Sequence, residues 1–320
     1  MIKENKSEFD KLNITYWWSK GFTGKGTNIV VLDVNGVPLE KHNVKEPLSK
    51  EGKDKKLGHK THVCAIIREV LPDANIYAFH WAADYKEEII EWIRENKNNI
   101  DVINCSFEGN VQFDLLEIVS KFDIPIMGAM GNDSKPIGNS TSSLGGITGI
   151  GAWQENNDKL TSYSNYGLHL DFVTYSHIYY KTDNGKLYMF SGTSCSAPVA
   201  SSLIGLYGEY FRKTFGRPMN KQECFEFMLK NVDDKMTPGR DDLSGYGLFR
   251  LPKEIPTIEE EDTMKFKDTN GHWADGAIDF VSDKGLLKGY EDGTFKPERA
   301  VTRAELATVL ARQNGYVEKK

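Results

Sequence analysis

The chain has 320 residues, enough for one large folded domain and a small one. Hydrophobic residues make up 39% of it, and no apolar run approaches the roughly 18 residues of a membrane-spanning helix, so a soluble chain without a membrane partner is expected. Forty basic against 46 acidic side chains leave a formal charge of −6, which argues against a nucleic-acid partner.

At the start, residues 1–10 hold neither an apolar core nor a cleavage site, so they are no secretory signal. Residues 28–32 (Asn-Ile-Val-Val-Leu) form a short β-branched run, the pattern of a strand buried on both faces, and end in Asp33. In open α/β sheets functional groups gather beyond the carboxyl ends of such strands. Next comes Gly-His-Lys-Thr-His-Val at residues 58–63, leading into an apolar segment at 64–70 and offering His59 as a base. Residues 124–130 read as another buried strand, ending in Gly131 and Asn132, whose side-chain amide can donate to an oxyanion. Residues 191–198 (Ser-Gly-Thr-Ser-Cys-Ser-Ala-Pro) are a small-residue turn that presents Ser194 at the start of a helix over 199–210. A serine there sits among unpaired backbone N–H groups, which suit a nucleophile and equally suit an ordinary helix cap. Asp33, His59 and Ser194 follow one of the known chain orders of the Ser-His-Asp triad.

Taken in order, these four stretches resemble the motifs of the subtilisin-like serine proteases, over about residues 12–251. The resemblance implies a three-layer α/β/α fold with a mostly parallel sheet and a peptidase domain over residues 1–251. It makes Ser194 the nucleophile, His59 the general base and then acid, Asp33 the group orienting the imidazole, and Asn132 with the Ser194 N–H the oxyanion hole. Residues 101–109 look like the family's substrate-binding strand, so Ser106, Phe107, Glu108, Gly109 and Gly131 are expected to face a protein or peptide substrate. Three departures stand out: Val34-Asn35 after the aspartate, Lys60 after the histidine, and Glu108 where glycine is usual. Glu108 either favours basic substrate residues or obstructs the substrate groove.

His59 and His62 fit no zinc spacing, so no metal is expected; His62 reads as structural, and His42, His80, His169 and His177 as surface or satisfied core. The family's calcium-binding loop has no counterpart after residue 69, and no cofactor is implied. Cys64, Cys105, Cys195 and Cys224 are dispersed and read as free thiols, with Cys195 packing beneath the helix; that favours reducing conditions or indifference to redox state.

Residues 252–265 are acidic, proline-punctuated and aperiodic, the pattern of a solvated linker. Beyond them a helix is expected from about His272 to Lys284. A turn-rich aromatic loop follows at 289–295, then a second helix opened by the capping box Thr302-Arg303-Ala304-Glu305, with Val301 and Leu306 placed as a hydrophobic staple. The wording of residues 266–312 closely resembles an S-layer homology (SLH) module, here a small all-α domain over about 266–315. The resemblance implies binding to anionic secondary cell-wall polysaccharide, with Arg303 pairing the acidic sugar and Trp273, Gly289 and Asp292 lining the site; Trp273 equally suits the core. One copy of about 50 residues is marginal alone, so the module is expected to trimerise or to dock on the protease.

Localisation is then pulled two ways. The module implies the cell envelope, and the missing signal implies the cytoplasm, a phage-encoded chain or a trimmed one. Two functions stay open beside an active endopeptidase with a wall-binding tail: an inactive protease scaffold that serves as a carbohydrate-binding anchor, and an intracellular protease whose tail only mediates assembly.

Overall fold

The protein is described as a computed structural model over residues 1–34, 36, 38–48, 57–81, 86–107, 113–136, 141–156, 158–256, 266–269, 272, 274–283, 286–290 and 292–313. It divides into two compact units, Met1–Ile255 and Pro256–Lys320.

The first unit opens with two short helices, α1 (Lys6–Lys11) and α2 (Ile14–Ser19), and continues β1 (Asn28–Asp33), α3 (His59–Val70), β2 (Asn75–His80), α4 (Lys86–Asn96), β3 (Val102–Cys105), α5 (Phe113–Ser120), β4 (Ile126–Ala129), β5 (Thr148–Gln154), β6 (Lys159–Leu160) and β7 (Phe172–Tyr175). A hairpin of β8 (Ile178–Lys181) and β9 (Leu187–Phe190) leads into the long α6 (Thr193–Phe215), and α7 (Lys221–Lys230), β10 (Val232–Asp233) and β11 (Leu248–Phe249) complete the unit. One nine-stranded sheet runs in the order β10-β11-β7-β5-β4-β3-β1-β2, with β6 pairing beside β5; only the β10–β11 and β5–β6 pairs are antiparallel.

Strand β1 lies between β3 and β2 and carries Asp33 at its end. Its side chains alternate between two cores: Ile29 and Val31 pack with α3 and α6, whereas Val30 and Leu32 pack with Ile89, Ile90 and Ile93 of α4 and Leu116 and Val119 of α5. Burial on both faces is why the run is apolar throughout and β-branched, and it gives the α/β/α layering. After β1 the chain adds β2 on one side and β3 on the other, which makes the β1/β3 junction a topological switch point. Leu32 lies opposite Cys105, and Cys105 opposite Gly128. Asp33, Ser106 and the segment after β4 therefore emerge side by side at the carboxyl edge.

Small residues let α6 lie close to the sheet. A Cβ on Gly205 would come within 2.6 Å of Leu71 Cδ1 and 3.1 Å of Ile29 Cδ1. Two buried carboxylates fix the far half of this helix. Glu209 accepts the N–H groups of Thr23, Gly24 and Lys25 at 2.8–2.9 Å, and Asp101 accepts Asn28 N–H and Arg212 Nε, both at 2.7 Å. Buried charge is tolerated when it is saturated in this way.

In the second unit the described helices are α8 (Asp275–Asp283) and α9 (Arg303–Gln313). Its small core holds Phe266, whose ring lies tilted against that of Phe295 at 5.1 Å, and Ile278. Asp268 accepts the N–H groups of Phe295 and Lys296, both at 2.8 Å, which closes the loop between the helices. The expected capping box forms: Thr302 N–H donates to Glu305 at 2.8 Å, and Glu305 N–H to Thr302 Oγ1 at 3.2 Å. Helix α8 starts at Asp275 instead of His272, because His272 Nδ1 accepts Ala274 N–H and its carbonyl accepts Asp275 N–H, which makes a turn. The proposed staple residues Val301 and Leu306 are both about half exposed, since so small a core leaves them no apolar surface to cover. Among the described residues no helix is long and apolar enough to cross a membrane.

Candidate active site

Asp33 is the last residue of β1 and fully buried. One carboxylate oxygen accepts Val34 N–H at 2.7 Å, and the two oxygens lie 2.9 and 3.0 Å from His59 Nδ1. His59 is the first residue of α3, and its side chain is 32% exposed, so the ring has one nitrogen on a buried anion and Nε2 left for a reacting group. With Nδ1 facing a carboxylate, Nδ1 carries the hydrogen and the neutral ring is a base at Nε2.

Ser194, second residue of α6 and half-buried, donates its hydroxyl to the Ser106 carbonyl at 2.8 Å, not to the His59 ring. The turn before it is held by side chains. Asn132 Oδ1 accepts Thr193 N–H at 2.9 Å and the Thr193 hydroxyl at 3.3 Å, and Thr193 Oγ1 accepts Gly131 N–H at 3.0 Å. Gly192 sits at φ +97°, a conformation side chains rarely adopt, and a Cβ there would lie a tight 3.2 Å from Asn132 Oδ1. With Oδ1 committed to the turn, Asn132 Nδ2 and the Ser194 N–H are two donors with no internal partner among the described residues. Paired donors at a helix N-terminus are what a developing oxyanion requires.

Phe190, at the end of β9, joins the two sides of the site. Its ring meets His59 edge-on at 5.6 Å and stacks on His62 at 5.1 Å. His62 lies 2.6 Å through Nδ1 from the buried Tyr180 hydroxyl; desolvation, and after it the nearby His59, lowers its pKa, so it stays neutral as a spacer. Lys60 is buried and paired with Glu46 at 2.5 Å. Burial pushes up all four thiols, and Cys195 lies fully buried beneath Ser194.

Of the residues expected to face substrate, Ser106 turns its side chain into the core, accepting Asn104 Nδ2 at 2.8 Å, and offers only its carbonyl to the site. Phe107 and Gly131 are buried; Glu108 and Gly109 lie outside the described residues. In the second unit Gly289 is a packing position, since a Cβ would fall 1.9 Å from the Phe266 ring. Asp292 caps its own turn on Thr294, Arg303 is exposed, and Trp273 lies outside the described residues. No cluster of three or more His, Cys, Asp or Glu side chains is placed to hold a metal among the described residues.

A serine, a histidine and a buried carboxylate at the carboxyl edge of a doubly covered parallel sheet define the class as that of the serine hydrolases. Comparison with known proteins agrees. Residues 30–247 match the subtilase family and residues 265–307 the S-layer homology domain. The chain belongs to the subtilase family and carries an SLH domain. It is 26% identical over 276 residues to the minor extracellular protease Epr of Bacillus subtilis, covering 75% of this chain and 40% of that protein. Its tail is 62% identical over 39 residues to cell surface glycoprotein 1 of Acetivibrio thermocellus, covering 12% of this chain and 2% of that one. The chain thus spans well under half the length of these relatives. Among solved structures it is similar to a lanthipeptide protease, with a TM-score of 0.65 at 18% identity over 78% of this chain and 94% of that one, a likeness of fold.

Proposed function

We propose that this protein is a serine endopeptidase working through an acyl-enzyme, held at the cell envelope by its SLH module. The observation that carries the catalytic part is the contact of both Asp33 oxygens with His59 Nδ1 beside a serine at a helix start. The Ser194 hydroxyl turns from the Ser106 carbonyl to His59 Nε2 and gives up its proton as Oγ attacks the substrate carbonyl. Asp33 takes no proton; it holds the Nδ1 hydrogen and stabilises the imidazolium. The carbonyl oxygen, now negative, receives the Ser194 N–H and Asn132 Nδ2. His59 then protonates the leaving amine, and the ester left on Ser194 is hydrolysed by water activated at the same imidazole.

The Ser194–Ser106 bond also favours a second reading, a silent scaffold that serves as a wall-binding protein. A fluorophosphonate probe separates them: the active enzyme labels and Ser194→Ala does not, whereas a scaffold labels in neither form. For the module, binding to an anionic wall polysaccharide through Arg303 is supported by the SLH match and by a guanidinium exposed at the start of α9, and assembly into a trimer by the exposed apolar residues Leu306 and Leu310. Co-sedimentation with purified cell wall, with and without residues 266–312, tests the first; sedimentation velocity tests the second.

A further inference from the structure

Tyr163 is half-buried next to the nucleophile turn and has no part in the machinery above. Its hydroxyl oxygen accepts the Gly192 N–H at 3.2 Å and lies 3.0 Å from the buried Ser176 hydroxyl, which is 3.1 Å from His177 Nδ1. The chain closes in one sense. Gly192 donates to Tyr163, Tyr163 to Ser176, and Ser176 to a neutral His177, a form favoured by the burial that lowers the pKa of this ring.

Three successive N–H groups thus have three different fates. That of Gly192 is tied to Tyr163 and that of Thr193 to Asn132, and that of Ser194 is left free. The tie matters because Gly192 is the one residue of the turn with no side chain to hold its backbone. Its carbonyl is held by the Cys195 and Ser196 N–H groups at 2.9 and 3.2 Å, so the Tyr163 bond is what fixes its N–H side; at φ +97° a glycine can rotate there without a Cβ clash, and such a rotation would re-aim the Ser194 N–H. We propose that the Tyr163 hydroxyl is a positioning group that fixes the Gly192 peptide and so aims the Ser194 N–H at the oxyanion. The role rests on the catalytic reading given above.

Tyr163→Phe keeps the ring and removes the bond. The expected result is a three- to tenfold fall in kcat and in the rate of fluorophosphonate labelling, the scale of one neutral hydrogen bond, with KM within twofold and the thermal midpoint lowered by no more than a few degrees. Amide exchange over residues 190–194 should quicken in the same variant, a readout that needs no catalysis. Ser176→Ala should shift both in the same direction by less and add nothing on top of Tyr163→Phe. Wild-type kcat and exchange in Tyr163→Phe overturn the proposal, and so does a rise in KM alone, which would mark a substrate contact. If the wild-type chain does not label at all, the catalytic reading fails and takes this role with it. If it labels and Tyr163→Phe labels at the same rate, only the positioning role fails.

Discussion

The Ser194 hydroxyl rests on the carbonyl of Ser106, 2.8 Å away, while the imidazole it must reach is already locked to Asp33. Strand order sets this relationship: Ser106 follows β3, Asp33 ends β1, and the two strands are neighbours. Leaving the carbonyl costs about 0.5–1.5 kcal/mol, one neutral hydrogen bond, so the resting arrangement slows the reaction by about tenfold at most. Ser194→Ala removes that bond and the nucleophile together. Peptide hydrolysis should fall by more than about a thousandfold, with stability changed by less than about 1 kcal/mol in a denaturant titration.

Asn132 has two separable jobs, which two substitutions divide. Asn132→Asp keeps an oxygen for Thr193 N–H and removes the Nδ2 donor; Asn132→Ala removes both. Each should lower kcat by about 10²–10³ with KM little changed, a loss already known for an oxyanion donor in this family. Only Asn132→Ala should also loosen the turn, read as faster amide exchange at Thr193. Equal kcat in Asn132→Asp and wild type would remove Asn132 from the oxyanion hole.

Lys60 departs from the family pattern beside the catalytic histidine, and the departure has a partner: Glu46, 2.5 Å away, with the lysine side chain 5% exposed. A buried cation with its counter-ion serves the scaffold, so the substitution is no sign of a dead enzyme. Lys60→Met keeps the apolar stem and strands Glu46. We expect stability to drop by about 1–3 kcal/mol and kcat/KM to stay within about threefold, measured by urea unfolding and by turnover.

Strand ends and helix starts are local patterns, so the places of Asp33 at the end of β1, His59 at the start of α3 and Ser194 at the start of α6 were legible from β-branched runs and small-residue turns. Tyr163, Ser176 and Phe190 were not. They reach the site because β7 lies beside β5 and because the β8–β9 hairpin folds back over α3, and no spacing along the chain encodes either pairing. Lys60 could be seen as odd but not explained, since Glu46 is 14 residues upstream in a loop. In the tail the capping box was readable because it joins residues three apart. The staple failed because it needs a core, which is a property of the whole unit.

His42 ties stability to pH. Its side chain is buried, and Nδ1 has no hydrogen-bond partner among the described residues. Burial pushes its pKa down to about 4; Lys41 and Arg68 act in the same direction, and Asp183 opposes them. The unfolded chain takes up this proton near pH 6.5 and the folded chain only near pH 4, so the unfolded state holds more protons between those values. Stability contributed by the neutral ring is therefore whole above about pH 6.5 and is lost as pH falls towards 4, by up to about 3 kcal/mol. Half-buried acids such as Glu69 and Asp171, whose pKa values desolvation raises, pull the other way, so the difference between wild type and His42→Gln is the quantity to follow. Urea midpoints from pH 7 to pH 4 should fall more steeply in the wild type than in the variant. Parallel profiles would mean that His42 reaches solvent and titrates normally in the folded chain.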